Sequence, residues 1–523
     1  MSADADGADD LSVLFVSIDS LSRHFLDVYP EIDVEFDVET DNLDRFAERA
    51  AVFDTHYAGS LPCMPARREW LTGTQEFLWR PWGPVEPFDR TLPELARHEG
   101  ILTQFVTDHY HYFQHGSHGY YEDFNGFEFV RGHEFDAWQT TPRAPDETLL
   151  AQVTMGGDAP DAHQSAPDPE DLGFMNRAQY ARNVDGFTEE SDFFAPKVFD
   201  ATAEWVRDSQ EWDQWFCYVD SFDVHEPFHV PEPYASMYTD EDPEDPDLVN
   251  WPYYGRVDRG QSELTDRQLD FVRAQFAGKI TMVDRWFGHV LDALDETGAW
   301  ADTMVVVTAD HGHYLGEHGW VGKPQAPMYD VLTHTPLFVH HPDAARAGER
   351  IGALTSAVDL YGTVLDELGV DADHRHSRSL SPLLHGERDS HRDWAIYGYW
   401  GSSVNVTDGE YTYLRPCDES VDAECYSTEM MNALGWFQPR EPEYDAEAGD
   451  FLPYTESPVW RWETYATGRH DDPMLFDVTD DPEQERDLAG ADGPEEDRMR
   501  ALLVEAMEHL GAPASQYERL GLS

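Results

Sequence analysis

Thr303-Met304-Val305-Val306-Val307-Thr308-Ala309-Asp310-His311-Gly312 is the stretch that decides how this chain folds. A continuous apolar run ending on Asp-His-Gly reads as a strand buried on both faces, as in parallel sheets covered by helices. Just before it, Leu269, Val272, Phe276, Ile280, Val283, Phe287, Val290, Leu291 and Leu294 recur at helical spacing and predict a long helix from Asp266 to Leu294. Two more apolar runs end on acids, Leu11–Asp19 (LSVLFVSID) and Trp215–Asp220 (WFCYVD), and Gly100–Val106 predicts another strand. Thr335–His340 continues the sheet, with helices predicted over Thr91–His98 and Asp359–Leu368. Strands alternating with helices give an α/β chain with a large, mostly parallel sheet covered on both faces.

After Gly386 the texture changes. Short β-like runs (Trp394–Trp400, Val404–Val406, Tyr411–Leu414), then Leu475–Val478 and a final helix from about Pro494 to Leu510, predict a smaller C-terminal α+β subdomain. The expected division is an acidic tail at 1–10, a catalytic α/β domain at 11–386 and the subdomain at 387–523. Residues 139–195, rich in Asp, Pro, Gly and Gln, read as a long surface excursion plus a helix.

The chain of 523 residues carries 104 acidic and 35 basic side chains, a formal charge of −69. Only three lysines occur, Lys197, Lys279 and Lys323. Carboxylates spread through an otherwise ordinary apolar composition suggest a folded, halophilic protein from a salt-rich cytoplasm, where screening is strong. The same charge disfavours nucleic acid and anionic membranes as partners. Four cysteines are too few for a disulfide framework in a chain this long. The acidic N-terminus lacks a signal-peptide pattern, and no apolar run reaches membrane-spanning length, so the expected location is cytoplasmic.

The chemistry gathers at strand ends, where open α/β sheets bind ligands. Asp19 and Asp310, with His311, are oxygen and imidazole donors placed at two such ends, which suits Ca²⁺, with Mg²⁺ or Mn²⁺ as alternatives, better than zinc. In Cys63-Met64-Pro65-Ala66-Arg67, Pro65 suits the first turn of a helix. Cys63 then lies at the helix N-terminus, with Arg67 one turn on and able to reach back towards it. On its own this motif is also compatible with a buried cysteine near a helix start. Lys323, one of so few lysines, follows Asp-His-Gly closely; His225 and His109 follow strand ends and are candidate anion donors, His225 also a general acid. Tyr110, Tyr112, Phe113, Tyr120 and Tyr121 could line a substrate pocket or form a structural aromatic cluster.

Asp19, Cys63-x-Pro65-x-Arg67 with Leu71-Thr72-Gly73, Asp310-His311-Gly312 and Gly322-Lys323 occur in that order, supported by Asp223-x-His225-x-Pro227 and a late Leu475-Phe476-Asp477. This set resembles the type I sulfatase family of the alkaline-phosphatase-like superfamily, over nearly the whole chain. The resemblance implies that a formylglycine-generating enzyme oxidises Cys63 to an aldehyde, whose hydrate attacks a small-molecule or saccharide sulfate ester. By motif match, Asp19, Cys63, Asp310 and His311 bind one divalent metal, and Arg67 positions the hydrate. Lys323, His225 and His109 hold sulfate oxygens, with His225 protonating the leaving alcohol.

Two departures stand out. Many sulfatases carry two adjacent aspartates where this chain has Asp19-Ser20, and the usual Lys-x-His reads Thr107-Asp108-His109. Both keep open a formylglycine-dependent phosphodiesterase or phosphonate monoester hydrolase. A non-catalytic protein that binds sulfated ligands is the alternative outside enzymes.

Overall fold

The computed structural model describes residues 11–523 except 33, 115–116, 142–143, 154–176, 259–261, 263, 324–326, 344–345, 430–444, 465 and 491–492. The expected acidic tail and part of the 139–195 excursion lie outside the described residues. What is described of that excursion includes the helices Glu147–Val153 and Ala178–Asn183.

The central sheet has eight strands: β1 (Ser12–Ile18), β2 (Ala51–Phe53), β3 (Leu102–Thr107), β4 (Gly126–Phe129), β5 (Trp215–Ser221), β6 (Thr303–Thr308), β7 (Leu337–His340) and β8 (Arg350–Ile351). Their order is β8-β2-β7-β6-β1-β5-β3-β4. From β6 to β4 every neighbour is parallel. β7 departs from this pattern, running antiparallel to both β6 and β2. A parallel neighbour needs a crossover back to the far end of the sheet. Among the described residues after Gly312 there is none: the chain stays at the carboxyl end in the short strands Tyr314–Leu315 and Trp320–Gly322. It therefore re-enters the sheet from that end.

Successive residues of a strand point to opposite faces, so both faces of β1 must be apolar. Leu14, Val16 and Ile18 join the core beneath the helices α3 (Phe194–Asp208) and α4 (Asp266–Thr297), while Val13 and Phe15 pack with α1 (Cys63–Thr72) and α5 (Asp359–Glu367) on the other face. Helix α2 (Leu92–His98) starts at Thr91, whose hydroxyl accepts the Glu94 N–H. Helix α4 opens with a Thr265–Gln268 capping box and closes on Gly298 in the left-handed region, so its sequence punctuates both ends.

The C-terminal strands form two further sheets. One joins Met474–Asp477, Tyr411–Arg415, Val404–Thr407 and Ala395–Tyr399, and its last member is Ser60–Leu61 from far upstream. That short strand leads straight into Cys63, so the C-terminal sheet braces the start of α1. The brace is tightened by Glu69, which accepts hydrogen bonds from the N–H and hydroxyl of Ser60. At the other end Gly73, at φ 68°, ends α1, and a side chain there would strike Tyr361.

Burial pushes the Glu69 carboxyl up to about 8, although Ser60 favours its ionised form. Between the ordinary carboxylate range and about pH 8, the unfolded chain gives up this proton while the folded chain keeps it. Glu69 therefore costs stability as pH rises through that window. Glu69→Gln keeps an acceptor for Ser60 and removes the titration. The melting temperature of the variant minus that of the parent should increase from pH 5 to pH 9 (values chosen about the window); a constant difference would refute the assignment.

Candidate active site

Three strands deliver carboxylates to one guanidinium. Arg67, fully buried in α1, donates Nε and Nη2 to the two oxygens of Asp220 at 3.2 and 2.8 Å. Its Nη2 also lies 2.9 Å from Asp19 Oδ2, and its Nη1 donates to Asp310 Oδ2 and to the Cys63 carbonyl at 3.2 Å. Asp19 ends β1, Asp310 follows β6, and Asp220 sits in β5 between them and β3. The helix turn that puts Arg67 beneath Cys63 thus locks α1 onto the carboxyl edge of the sheet.

On the other side of this network, Asp19, Cys63, Asp310 and His311 each offer a donor atom within 4.8 Å of all the others. The Cys63 Sγ is 3.4 Å from His311 Nε2. His311 Nδ1 donates to the Gly312 carbonyl at 2.8 Å, which leaves Nε2 for the site. Asp310 Oδ1 accepts the N–H groups of Ser20 and His311 at 3.0 and 2.8 Å. Ser20, at φ 60°, donates its hydroxyl to Asp19 Oδ1 at 2.7 Å and receives Lys323 Nζ at 3.3 Å. It occupies the second-aspartate position as a bridge to Lys323.

A divalent cation fits this donor set on charge. Asp19, Asp220, Asp310 and Glu226 are fully buried carboxyls, faced by the cations Arg67 and Lys323. Burial and the neighbouring Asp310 push the Asp19 carboxyl well up, a cost that a bound cation would relieve. Burial and Asp19 also push the Cys63 thiol well up, outweighing Lys323 and Arg67, which favour the thiolate. Asp310 goes the other way: burial would raise it, but Arg67 outweighs that and holds it well below the carboxylate range. Asp220 does not make up for the missing second aspartate, because its oxygens are taken by Arg67, His109, Tyr112 and Ser17.

Lys323, at the end of the Trp320–Gly322 strand, points its Nζ into the site, 3.9 Å from Asp19 Oδ1 and 4.0 Å from Glu226 Oε2. His225 lies beside Glu226, with Nδ1 donating to the Glu226 carbonyl at 2.8 Å. Its ring stacks on Phe222 at 4.2 Å, and His109 stacks on the same ring at 4.0 Å. His109 Nδ1 is 3.1 Å from Asp220 Oδ2, and its Nε2 makes no hydrogen bond. Burial, with Arg67 near His109 and Lys323 near His225, pushes both imidazoles well below their usual range, although Glu226 favours the charged form of His225. Both are neutral at pH 7 in this state (their ordinary value being about 6.5). His111 packs edge-on to His109 at 5.1 Å and is tied to Glu134 and Gln114.

The structure gathers Asp19, Cys63, Arg67, Asp310, His311 and Lys323 around one point, with His225 and His109 flanking Phe222, and adds three. Asp220 carries the same signal as Asp19, an acid at the end of an apolar strand. Glu226 faces His225, His313 and Lys323, and Tyr254 donates to it; nothing in its local sequence marks it. Lys279, from α4, donates to the carbonyls of His225 and Pro227 at 2.6 and 2.8 Å and pairs with Asp223 at 2.5 Å. The rarity of lysine that marks Lys323 applies equally to Lys279. The aromatic stretch is a correction to the pocket reading: Tyr110, Tyr112 and Tyr120 are buried core, Tyr112 donating to Asp220 and Tyr120 to the Gly83 carbonyl.

Residues 12–370 match the family model described as Sulfatase. The chain belongs to the sulfatase family. It is 25% identical over 400 residues to the multifunctional alkaline phosphatase superfamily protein PehA of Trinickia caryophylli, covering 68% of this chain and 73% of that one. It is 22% identical to a choline-sulfatase of Rhizobium meliloti, covering 88% and 91%. An arylsulfatase of Clostridium perfringens is 23% identical, covering 69% and 76%, whereas the matches to an N-acetylglucosamine-6-O-sulfatase and to two arylsulfatases K span 27 to 35% of their length. Among solved structures, the phosphonate monoester hydrolase of Silicibacter pomeroyi shares the fold, with a TM-score of 0.63, 21% identity and 95% coverage of both chains. The family implies a divalent metal and a formylglycine derived from cysteine. No helix among the described residues is long and apolar enough to cross a membrane.

Proposed function

We propose that this protein hydrolyses sulfate esters, with residue 63 acting as a formylglycine. The observation that carries the reading is the convergence of Asp19, Cys63, Asp310 and His311 on one point, flanked by Arg67 and Lys323, in a chain of the sulfatase family. Asp19, Asp310 and His311 would hold the metal with residue 63. A divalent cation there supplies charge stabilisation and lowers the pKa of an oxygen nucleophile. The oxygen-dominated set makes calcium our choice of metal, and the acidic composition makes a salt-rich cytoplasm our choice of setting.

The chain's own groups have separate tasks. Arg67 fixes the start of α1 and balances the carboxylates. Lys323 meets sulfate oxygens and neutralises charge as the S–O bond breaks. His225 has Nδ1 committed to the Glu226 carbonyl, which leaves Nε2 for the leaving oxygen. An incoming sulfate places negative charge near this buried imidazole and raises its pKa, so substrate itself readies the acid. His109 can offer only Nε2, since Nδ1 is held on Asp220. Replacing His225 with Asn is expected to slow alkyl sulfates by about 10²-fold or more, and 4-nitrophenyl sulfate much less, because a good leaving group needs no proton. Equal slowing of both esters would remove His225 from the acid role.

Hydrolysis of phosphonate or phosphodiester substrates is the second reading. It is favoured by Thr107, which stands where a second sulfate-binding lysine is usual and donates to the Asp220 carbonyl instead. Purified enzyme assayed on 4-nitrophenyl sulfate, bis(4-nitrophenyl) phosphate and a phosphonate monoester separates the two. We expect kcat/KM to be highest for the sulfate; phosphodiester turnover faster by orders of magnitude would reverse the assignment.

A further inference from the structure

We propose that Phe222 is a positioning residue of this site: its ring separates the imidazoles of His109 and His225, one on each face, so that their Nε2 atoms meet an oxyanion from two sides. His109 stacks on Phe222 at 4.0 Å between centroids and 16° between planes, and His225 at 4.2 Å and 29°. Two rings this close to one phenyl, and this nearly parallel to it, would collide if they shared a face. They therefore sandwich it, with the thickness of the phenyl ring between them. Single imidazoles stack on Tyr57, Tyr329 and Trp79 elsewhere; Phe222 is stacked by two.

The spacer is held in a frame of its own. Phe222 is fully buried just past β5, with its N–H donating to Asp108 Oδ1 at 2.7 Å and its carbonyl accepting the His225 N–H at 2.9 Å. His133 and His111 press on the ring at 4.8 and 5.4 Å, one tilted and the other edge-on. The next residue, Asp223, accepts from His133 Nε2 at 2.8 Å and from the Ala195 N–H at 3.1 Å, and pairs with Lys279. A ring locked by packing and by hydrogen bonds on both sides of its Cα can fix the geometry of the groups that lean on it.

Each of the two imidazoles has one nitrogen committed and one to offer. Nδ1 of His109 is held by Asp220 at 3.1 Å, and Nδ1 of His225 by the Glu226 carbonyl at 2.8 Å. His109 Nε2 is buried without a hydrogen bond. Arg67 bears on the His109 ring and Lys323 on the His225 ring, so each imidazole lies near one of the two cations that flank residue 63. With Nδ1 already carrying a hydrogen, Nε2 holds an oxyanion only once it too is protonated. The faces of a phenyl ring carry the negative side of its quadrupole and favour a charged imidazole over them. An aliphatic side chain would fill the same volume with neither flat faces to set the spacing nor a quadrupole to support the charge.

Phe222 has this task only under the sulfate-ester reading, and its test keeps the two apart. Phe222→Leu should lower kcat/KM for 4-nitrophenyl sulfate at least about 10-fold, since misplacing a binding group by about 1 Å can cost about 10²-fold. The same substitution in protein that already carries His109→Ala and His225→Asn should cost less than about 2-fold, because the spacer then has nothing to space. No loss in the parent, or an equal fold loss in both backgrounds, overturns the proposal. Phe222→Met, which refills the volume without a flat face, repeats the comparison if melting curves show that the leucine variant unfolds. If the parent turns over no sulfate ester, the functional reading fails instead. The same cycle is then read by calorimetry of inorganic sulfate binding to the calcium-loaded protein, with the same two outcomes.

Discussion

Cys63→Ala is expected to lower sulfate-ester turnover by at least about 10⁴-fold, the scale seen when a residue that forms the reacting bond is removed, while leaving the fold intact. The thiol is buried, but its removal takes away one small group, in hydrogen-bond contact with His311. Far-ultraviolet circular dichroism and the melting temperature should therefore stay close to the parent values. The parent must meet a stricter condition. Burial, with Asp19 and Asp310 beside it, pushes the Cys63 thiol well up, so an unmodified cysteine would be a poor nucleophile here. Mass spectrometry of the peptide spanning residue 63, from protein made in its native host, should show the aldehyde in place of the thiol. A free thiol in fully active protein would refute the mechanism; a free thiol in inactive protein would point to a binding role.

Arg67→Ala should have the largest effect on stability. Arg67 is the shared counter-charge of three buried carboxylates. Removing one partner of a buried charge network costs about 3–5 kcal/mol, because the remaining charges stay desolvated and unpaired. The pH dependence gives a sharper signature. Burial would raise the carboxyls of Asp220 and Asp310, but Arg67 outweighs it and holds both well below their usual range. Such groups add stability above the ordinary carboxylate range and lose it as pH falls through their depressed values. In Arg67→Ala that contribution disappears, so the deficit in urea denaturation should be greatest near neutral pH and shrink towards acid. Arg67→Lys should recover little, since an ammonium cannot serve Asp220 through two parallel N–H groups while also reaching Asp19 and Asp310. A deficit independent of pH would mean that Arg67 acts through packing alone.

These two residues also show what could be read in advance. Periodicity located β1, β3, β5, β6, the helix from Asp266 and the C-terminal change of texture, because strands buried on both faces and helices buried on one impose their own spacing on the sequence. The direction of β7 was not legible, because its apolar run looks the same whichever way it enters the sheet. Only the path of the chain after Gly312 makes it antiparallel.

Chemistry divides the same way. The sequence by itself determined the reactive set: Cys63 at a helix start, Arg67 one turn on, acids at strand ends and a rare lysine after Asp-His-Gly. Those are local facts about residue type and spacing, and they named the family. Tertiary structure decided which acids meet. Asp19 and Asp310 turn to Cys63, whereas Asp220, with an equal claim in sequence, turns to Arg67 and His109 because β5 lies on the other side of β1. It also decided that Ser20 bridges to Lys323 and that Lys279 pins the His225 loop. Such pairings join residues from 54 to 303 positions apart, and their partners are set by strand order and burial, which no local pattern records.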